Sequence, residues 1–153
     1  AVLAGLNLRA ELAANLTRDM EGGDPYVRNP HLVFSLGADR DLWQGINLNL
    51  QFAGDLRLGD LPSPFDIEAG TDTLRSTLTA VAFRRLFRDR FEARLSALWG
   101  FQDADYLMVP SISWTEGDAK VALSAGIFGG DAGGRMGQYR DADWVKLTFS
   151  YTF

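Results

Sequence analysis

His31 is the single histidine of the chain, so acid–base or nucleophile-activating chemistry at neutral pH has to begin there. Ser35 and Asp24 stand near it and are the residue types that complete a hydrolytic set, but they follow no spacing rule for one. A metal centre has one imidazole and no cysteine to draw on, which leaves carboxylates as the remaining strong donors. These are plentiful: Asp19, Glu21 and Asp24; Asp60, Asp66, Glu68 and Asp72; Asp103 and Asp105; Asp131, Asp141 and Asp143. Such oxygens suit Ca²⁺ or Mg²⁺, yet none of the groups has the spacing of an EF-hand loop. They read as solvated loop acids, and no metal or cofactor is expected.

A second set carries opposite charges at alternate positions: Arg9, Glu11, Asp55, Arg57, Arg75, Glu92, Arg94 and Lys146. Enclosed together, these side chains have to pair, because a lone buried charge is costly. The expected arrangement is one network of Arg9, Glu11, Glu92 and Arg94, with Asp55, Arg57, Arg75 and Lys146 nearer one mouth. Its chemistry is ion selection along a polar passage or a salt-bridged plug. Arg84, Arg85, Arg88 and Arg90 crowd a separate short stretch, suited to lipid phosphates or to a solvated turn.

The elements that position these residues follow from period-two alternation, the signature of strands. Val2, Ala4, Leu6, Leu8, Ala10, Leu12, Ala14 and Leu16 alternate with residues that include Asn7, Arg9, Glu11, Asn15 and Thr17. This predicts one strand over 1–17. The pattern recurs around Leu32–Ala38, Ile46–Leu58, Leu74–Ala82, Phe91–Phe101, Tyr106–Trp114, Val121–Ile127 and Val145–Phe153, for eight strands. Pro110 falls inside the sixth and removes a ladder donor, so a bulge or distortion is expected there. Inward Val81, Phe83, Leu98 and Phe128 would help fill an eight-stranded interior.

Long connections at Arg18–Pro30, Gly59–Thr73 and Gly129–Asp143, with a shorter one at Gln102–Asp105, alternate with tight turns near Arg40–Gly45, Arg88–Arg90 and Glu116–Ala119. Long loops on one end and short turns on the other are the asymmetry of bacterial outer-membrane barrels.

Composition is consistent with this. The 153 residues suit one domain over 1–153, and the net charge of -5 argues against general nucleic-acid binding. No apolar run reaches the roughly 18–20 residues of a transmembrane helix. The chain opens inside patterned sequence, which reads either as a leader already removed or as the C-terminal piece of something longer. Aromatic residues gather near predicted strand ends, with Trp43, Phe91, Trp114, Tyr151 and Phe153 at the turn end. Phe101, Tyr106 and Trp144 fall at the other, and Trp99 lies close by. Rings of this kind favour a membrane interface. The competing fold is a soluble up-and-down barrel with its apolar face inside.

The last strand ends Leu147-Thr-Phe149-Ser-Tyr151-Thr-Phe153. This resembles the C-terminal strand of Gram-negative outer-membrane β-barrels, and the whole chain resembles the small OmpA/OmpX type in size and pattern. The resemblance implies an all-β, antiparallel, up-and-down transmembrane barrel of eight strands, with an apolar exterior and a polar interior. It implies an outer-membrane location, contact with lipid and lipopolysaccharide, and recognition by the assembly machinery through Leu147, Phe149, Tyr151 and Phe153. The expected function is a structural or interaction barrel, not an enzyme. The alternatives are a passive porin-like pore, including the C-terminal half of a larger barrel, and an enzyme using His31 at the rim.

Overall fold

A computed structural model describes residues 2–3, 5–21, 23–24, 26–59 and 73–153. It is an all-β meander. A two-residue strand β1 (Val2–Leu3) precedes eight long ones: β2 (Leu6–Asn15), β3 (His31–Asp41), β4 (Ile46–Arg57), β5 (Leu74–Leu86), β6 (Phe91–Gly100), β7 (Asp105–Glu116), β8 (Ala119–Gly129) and β9 (Trp144–Tyr151). Each pairs antiparallel with the next, in the order β1 to β9. The eight long strands match the sequence expectation, with one difference at the start. The chain folds back near Gly5, at φ 77°, so that β1 pairs with the beginning of β2. Alternation cannot signal this, because a hairpin keeps the same period on both sides of its turn.

The tight turns all fall at one end. Trp43–Gly45 forms a single 3-10 turn. Phe87, Arg88 and Asp89 all take positive φ to reverse the chain between β5 and β6. Gly117, at φ 56°, does so between β7 and β8. The strand ends Asn15, His31, Arg57, Leu74, Gly100, Asp105, Gly129 and Trp144 fall at the opposite end.

Register sorts the side chains onto two faces. At one level of the sheet Leu8, Ala38, Leu50, Ala80, Ala97, Met108 and Ile127 are successive cross-strand partners. Seven strands thus contribute seven apolar residues, because each strand alternates and the turns hold the alternation in phase. The opposite face carries Asn7, Asp39 and Asn49 at one level and Asp41 and Asn47 at another. Three cross-strand pairs set an aromatic ring over a glycine: Phe34 over Gly54, Tyr106 over Gly129 and Trp144 over Gly126. A Cβ at Gly126 would lie 2.2 Å from the Trp144 ring, so glycine there is a packing requirement.

Pro110 interrupts the ladder without shifting it. It pairs with Leu95 on β6, while the β7–β8 pairing passes from Met108–Ile127 to Ser111–Ser124. Two residues lie between the flanking pairs on each strand, so no residue is inserted. The missing N–H removes hydrogen bonding and leaves the register intact.

Among the described residues no pairing joins β9 back to β2. Almost every residue of β2 and every residue of β9 is exposed, on both faces.

Candidate functional site

The apolar face presents large side chains to its surroundings. Leu36 is 56% exposed, Leu95 45% and Leu147 72%. Soluble monomers rarely leave a continuous apolar surface of this kind bare. Shallow grooves cross it, one of about 510 Å³ bordered by Leu8, Leu36, Leu50, Phe52 and Leu78, another of about 280 Å³ beside Trp99, Tyr106 and Met108.

Aromatic residues cluster at both ends of the strands. At the turn end Phe87, Phe91 and Trp114 pack together, with centroids 6.0–6.5 Å apart. Trp43 is exposed nearby in its turn, and Tyr151 stacks with Phe153 at 6.5 Å. At the loop end Trp99 stacks on Tyr106 at 5.7 Å, and Phe101 meets Phe52 at 5.9 Å. Trp144 differs from these. It pairs with Gly126 on the face that carries Lys146, so it belongs to the polar side.

The charges of the polar face form several separate groups, where the sequence suggested one network and one mouth. Arg9 binds Asp39, which also accepts from Asn7 at 2.9 Å and from Asn49. Glu92 joins two guanidiniums, Arg85 and Arg94, each through Nε at 3.0 Å. Both cations also stand over the Phe83 ring, Arg94 at 4.9 Å and Arg85 at 5.4 Å, which adds a cation–π attraction. Arg9 and Arg94 are thus apart because each has an acid on or beside its own strand. Glu11 makes no ion pair among the described residues. Lys146 pairs with Ser124, at the level of Ser111 and Arg94. Ser124 is the middle residue of β8, and Lys146 is the third residue of β9 from its loop end.

The loop end holds a denser cluster. His31 is 2% exposed, and its Nδ1 donates to Asp55 Oδ1 at 3.1 Å. Arg28 Nε donates to His31 Nε2 at 2.8 Å. Accepting from a guanidinium fixes the neutral Nδ1–H tautomer. Both ring nitrogens are therefore engaged in hydrogen bonds. Arg57, buried, is the cross-strand partner of His31, as Arg75 is of Asp55. Arg75 donates to Asp103 at 2.7 Å.

The 130–143 stretch folds over this end. Met136 N–H donates to the carboxylate of Asp105, itself 1% exposed, and Asp131 N–H donates to the Asp103 carbonyl at 3.4 Å. Tyr139 packs on Phe128 at 5.7 Å. Arg135 from this segment faces Arg75, Thr77, Val33 and Asp55 across a cleft of about 170 Å³.

Among the described residues no three His, Asp or Glu side chains converge as a cation site. Asp60, Asp66, Glu68 and Asp72 lie outside the described residues. Sequence reasoning missed Asp39, Asp103, Arg28 and Arg85 as partners. Asp39 and Arg85 carried a usable signal, since each holds a polar-phase position on its strand. Arg28 and Asp103 lie in connections, where no periodicity marks them.

No family model matches the chain, and neither the characterised proteins nor the solved structures give a significant match.

Proposed function

We propose that this chain forms the wall of an outer-membrane β-barrel, with its apolar face in lipid and its polar face lining a conduit for small polar solutes. The observation that carries this reading is the seven-strand apolar level from Leu8 to Ile127, set against a reverse face bearing Arg9, Asp39, Glu92, Arg94 and Lys146. Strands of about ten residues at about 3.3 Å each, tilted near 40°, span about 25 Å, the height of a barrel's apolar band. The terminal Leu147, Phe149, Tyr151 and Phe153 lie on that face in β9 and just beyond it, in keeping with a segment read by the assembly machinery.

A conduit is favoured over a filled interior by the edges. In a closed eight-stranded barrel the interior is packed with side chains, whereas Arg9 on β2 is 59% exposed. Hydrocarbon cannot satisfy free N–H and C=O groups, so the open edges of β2 and β9 support a wider barrel completed by further strands. A second reading, an interaction barrel with a plugged mouth, draws on the 130–143 segment anchored to Asp103 and Asp105.

Reconstitution into a planar bilayer tests the choice. The conduit reading expects ohmic conductance that falls when a bulky group is attached at Arg135→Cys. A folded, heat-modifiable protein that conducts no current contradicts it in favour of the plugged form.

A further inference from the structure

The four arginines around the β5–β6 turn are not equivalent. Arg85 lies on the polar face and binds Glu92 at 3.0 Å, and Arg90 binds Glu116 at 3.0 Å. Among the described residues Arg84 and Arg88 have no carboxylate within ion-pair distance. Arg84 holds a position on the apolar face: its cross-strand partners are Ile46 and Ala93, and the next residue across is Ile112. Its Nε is buried there with no hydrogen-bond partner. A guanidinium rising from an apolar wall is costly until a counter-charge meets it, and its long stem lets it reach toward the interface to find one.

The surface beside it has a matching shape. A groove of about 370 Å³ is bordered by Ile46, Ala82, Ala93, Leu95, Pro110 and Ile112, with Arg84 among its lining residues. The small side chains of Ala82 and Ala93 leave a trough between larger neighbours. One level nearer the turn, Phe91 and Trp114 are paired across β6 and β7. Apolar trough, unneutralised cation and interface aromatics thus follow in order toward the strand end.

The geometry points to a phospholipid site on the turn-end rim, with an acyl chain in the trough and a headgroup phosphate held by Arg84, assisted by Arg88 from the turn. The chemistry recognised is a phosphate ester, and its source is membrane lipid, because the cation stands on the apolar face and not in the polar cleft. This rests on the membrane reading proposed above.

The test uses the full chain folded into phosphatidylcholine nanodiscs containing a minority of phosphatidylglycerol, with retained lipid read by native mass spectrometry. The wild type is expected to retain phosphatidylglycerol above its share of the membrane. Losing a charge-assisted bond corresponds to about tenfold in affinity, so Arg84→Gln should lower that retention about tenfold. Ala93→Phe, which fills the trough without altering charge, should lower it as well. Arg85→Gln, whose cation already has Glu92, should leave it unchanged. Retention in simple proportion to membrane composition, or equal retention by Arg84→Gln, overturns the site. Displacement of the lipid by inorganic phosphate overturns the lipid assignment in favour of a free-anion site. A protein that shows no heat-modifiable mobility and never enters the nanodisc overturns the membrane reading itself, which the other outcomes leave standing.

Discussion

The two faces of this sheet share one backbone, one register and nearly the same lengths of strand, yet they follow opposite rules. On one, Leu36, Leu95 and Leu147 lie bare, and among the described residues the only charge there with a buried, partnerless atom is Arg84 at the rim. On the other, charges are frequent, and most have an acid, an amide or a ring beside them, as Arg9 has Asp39 and Arg94 has Glu92 and Phe83. In a soluble sandwich the bare face would be the one covered and the paired face the one left open. The inversion supports the proposed placement of the sheet between hydrocarbon and an aqueous passage.

The largest effect should come from reversing the rule at one position. Leu95→Arg puts a charge in the middle of the apolar face and should cost about 2–4 kcal/mol of folding free energy in bilayers. Its neighbour Ser96→Arg, on the polar face, should cost roughly 1 kcal/mol or less. Urea titrations of both variants in the same vesicles measure the difference, and equal costs would break the comparison. Next, His31→Ala removes a buried ring that joins Arg28 to Asp55 and should cost about 2 kcal/mol in the same titration. Because both nitrogens are engaged, it should leave any hydrolytic activity of the preparation unchanged. Trp114→Ala takes away a ring packed on Phe87 and Phe91 and should cost about 1 kcal/mol, seen as a modest fall in the temperature of the boiled-to-unboiled gel shift. Smallest in stability is Asp39→Asn, at about 1 kcal/mol or less, because the Arg9 side chain it pairs with is 59% exposed and solvent-screened. Its sharper readout is reversal potential: if the proposed conduit conducts, uncovering Arg9 should move its selectivity toward anions.

Much of the fold was legible because alternation is a local property that each strand displays by itself. The eight long strands and the split of long loops from tight turns follow from it, and the structure has both. The ion pairs were less legible, since pairing depends on turn length and register, which alternation does not encode. Arg9 and Glu92 hold polar-phase positions that any reading would group, yet Arg9 finds Asp39 on the adjacent strand and Glu92 finds Arg85 across the β5–β6 pair. Trp144 looked like an interface ring by its place at a strand end, but its phase puts it over Gly126. The open edges had no sequence signal, as β2 and β9 alternate as cleanly as the strands between them.

The chain contains no cysteine, so single cysteines can carry nitroxide labels along β6 without interference. Labels at positions 94–98 in reconstituted vesicles, scanned with lipid-soluble oxygen and a water-soluble nickel complex, test directly which face meets hydrocarbon. High oxygen and low nickel accessibility are expected at Leu95 and Ala97, with the reverse at Arg94, Ser96 and Leu98. Nickel reaching Leu95 and Ala97 as readily as Ser96 would contradict the lipid-facing assignment.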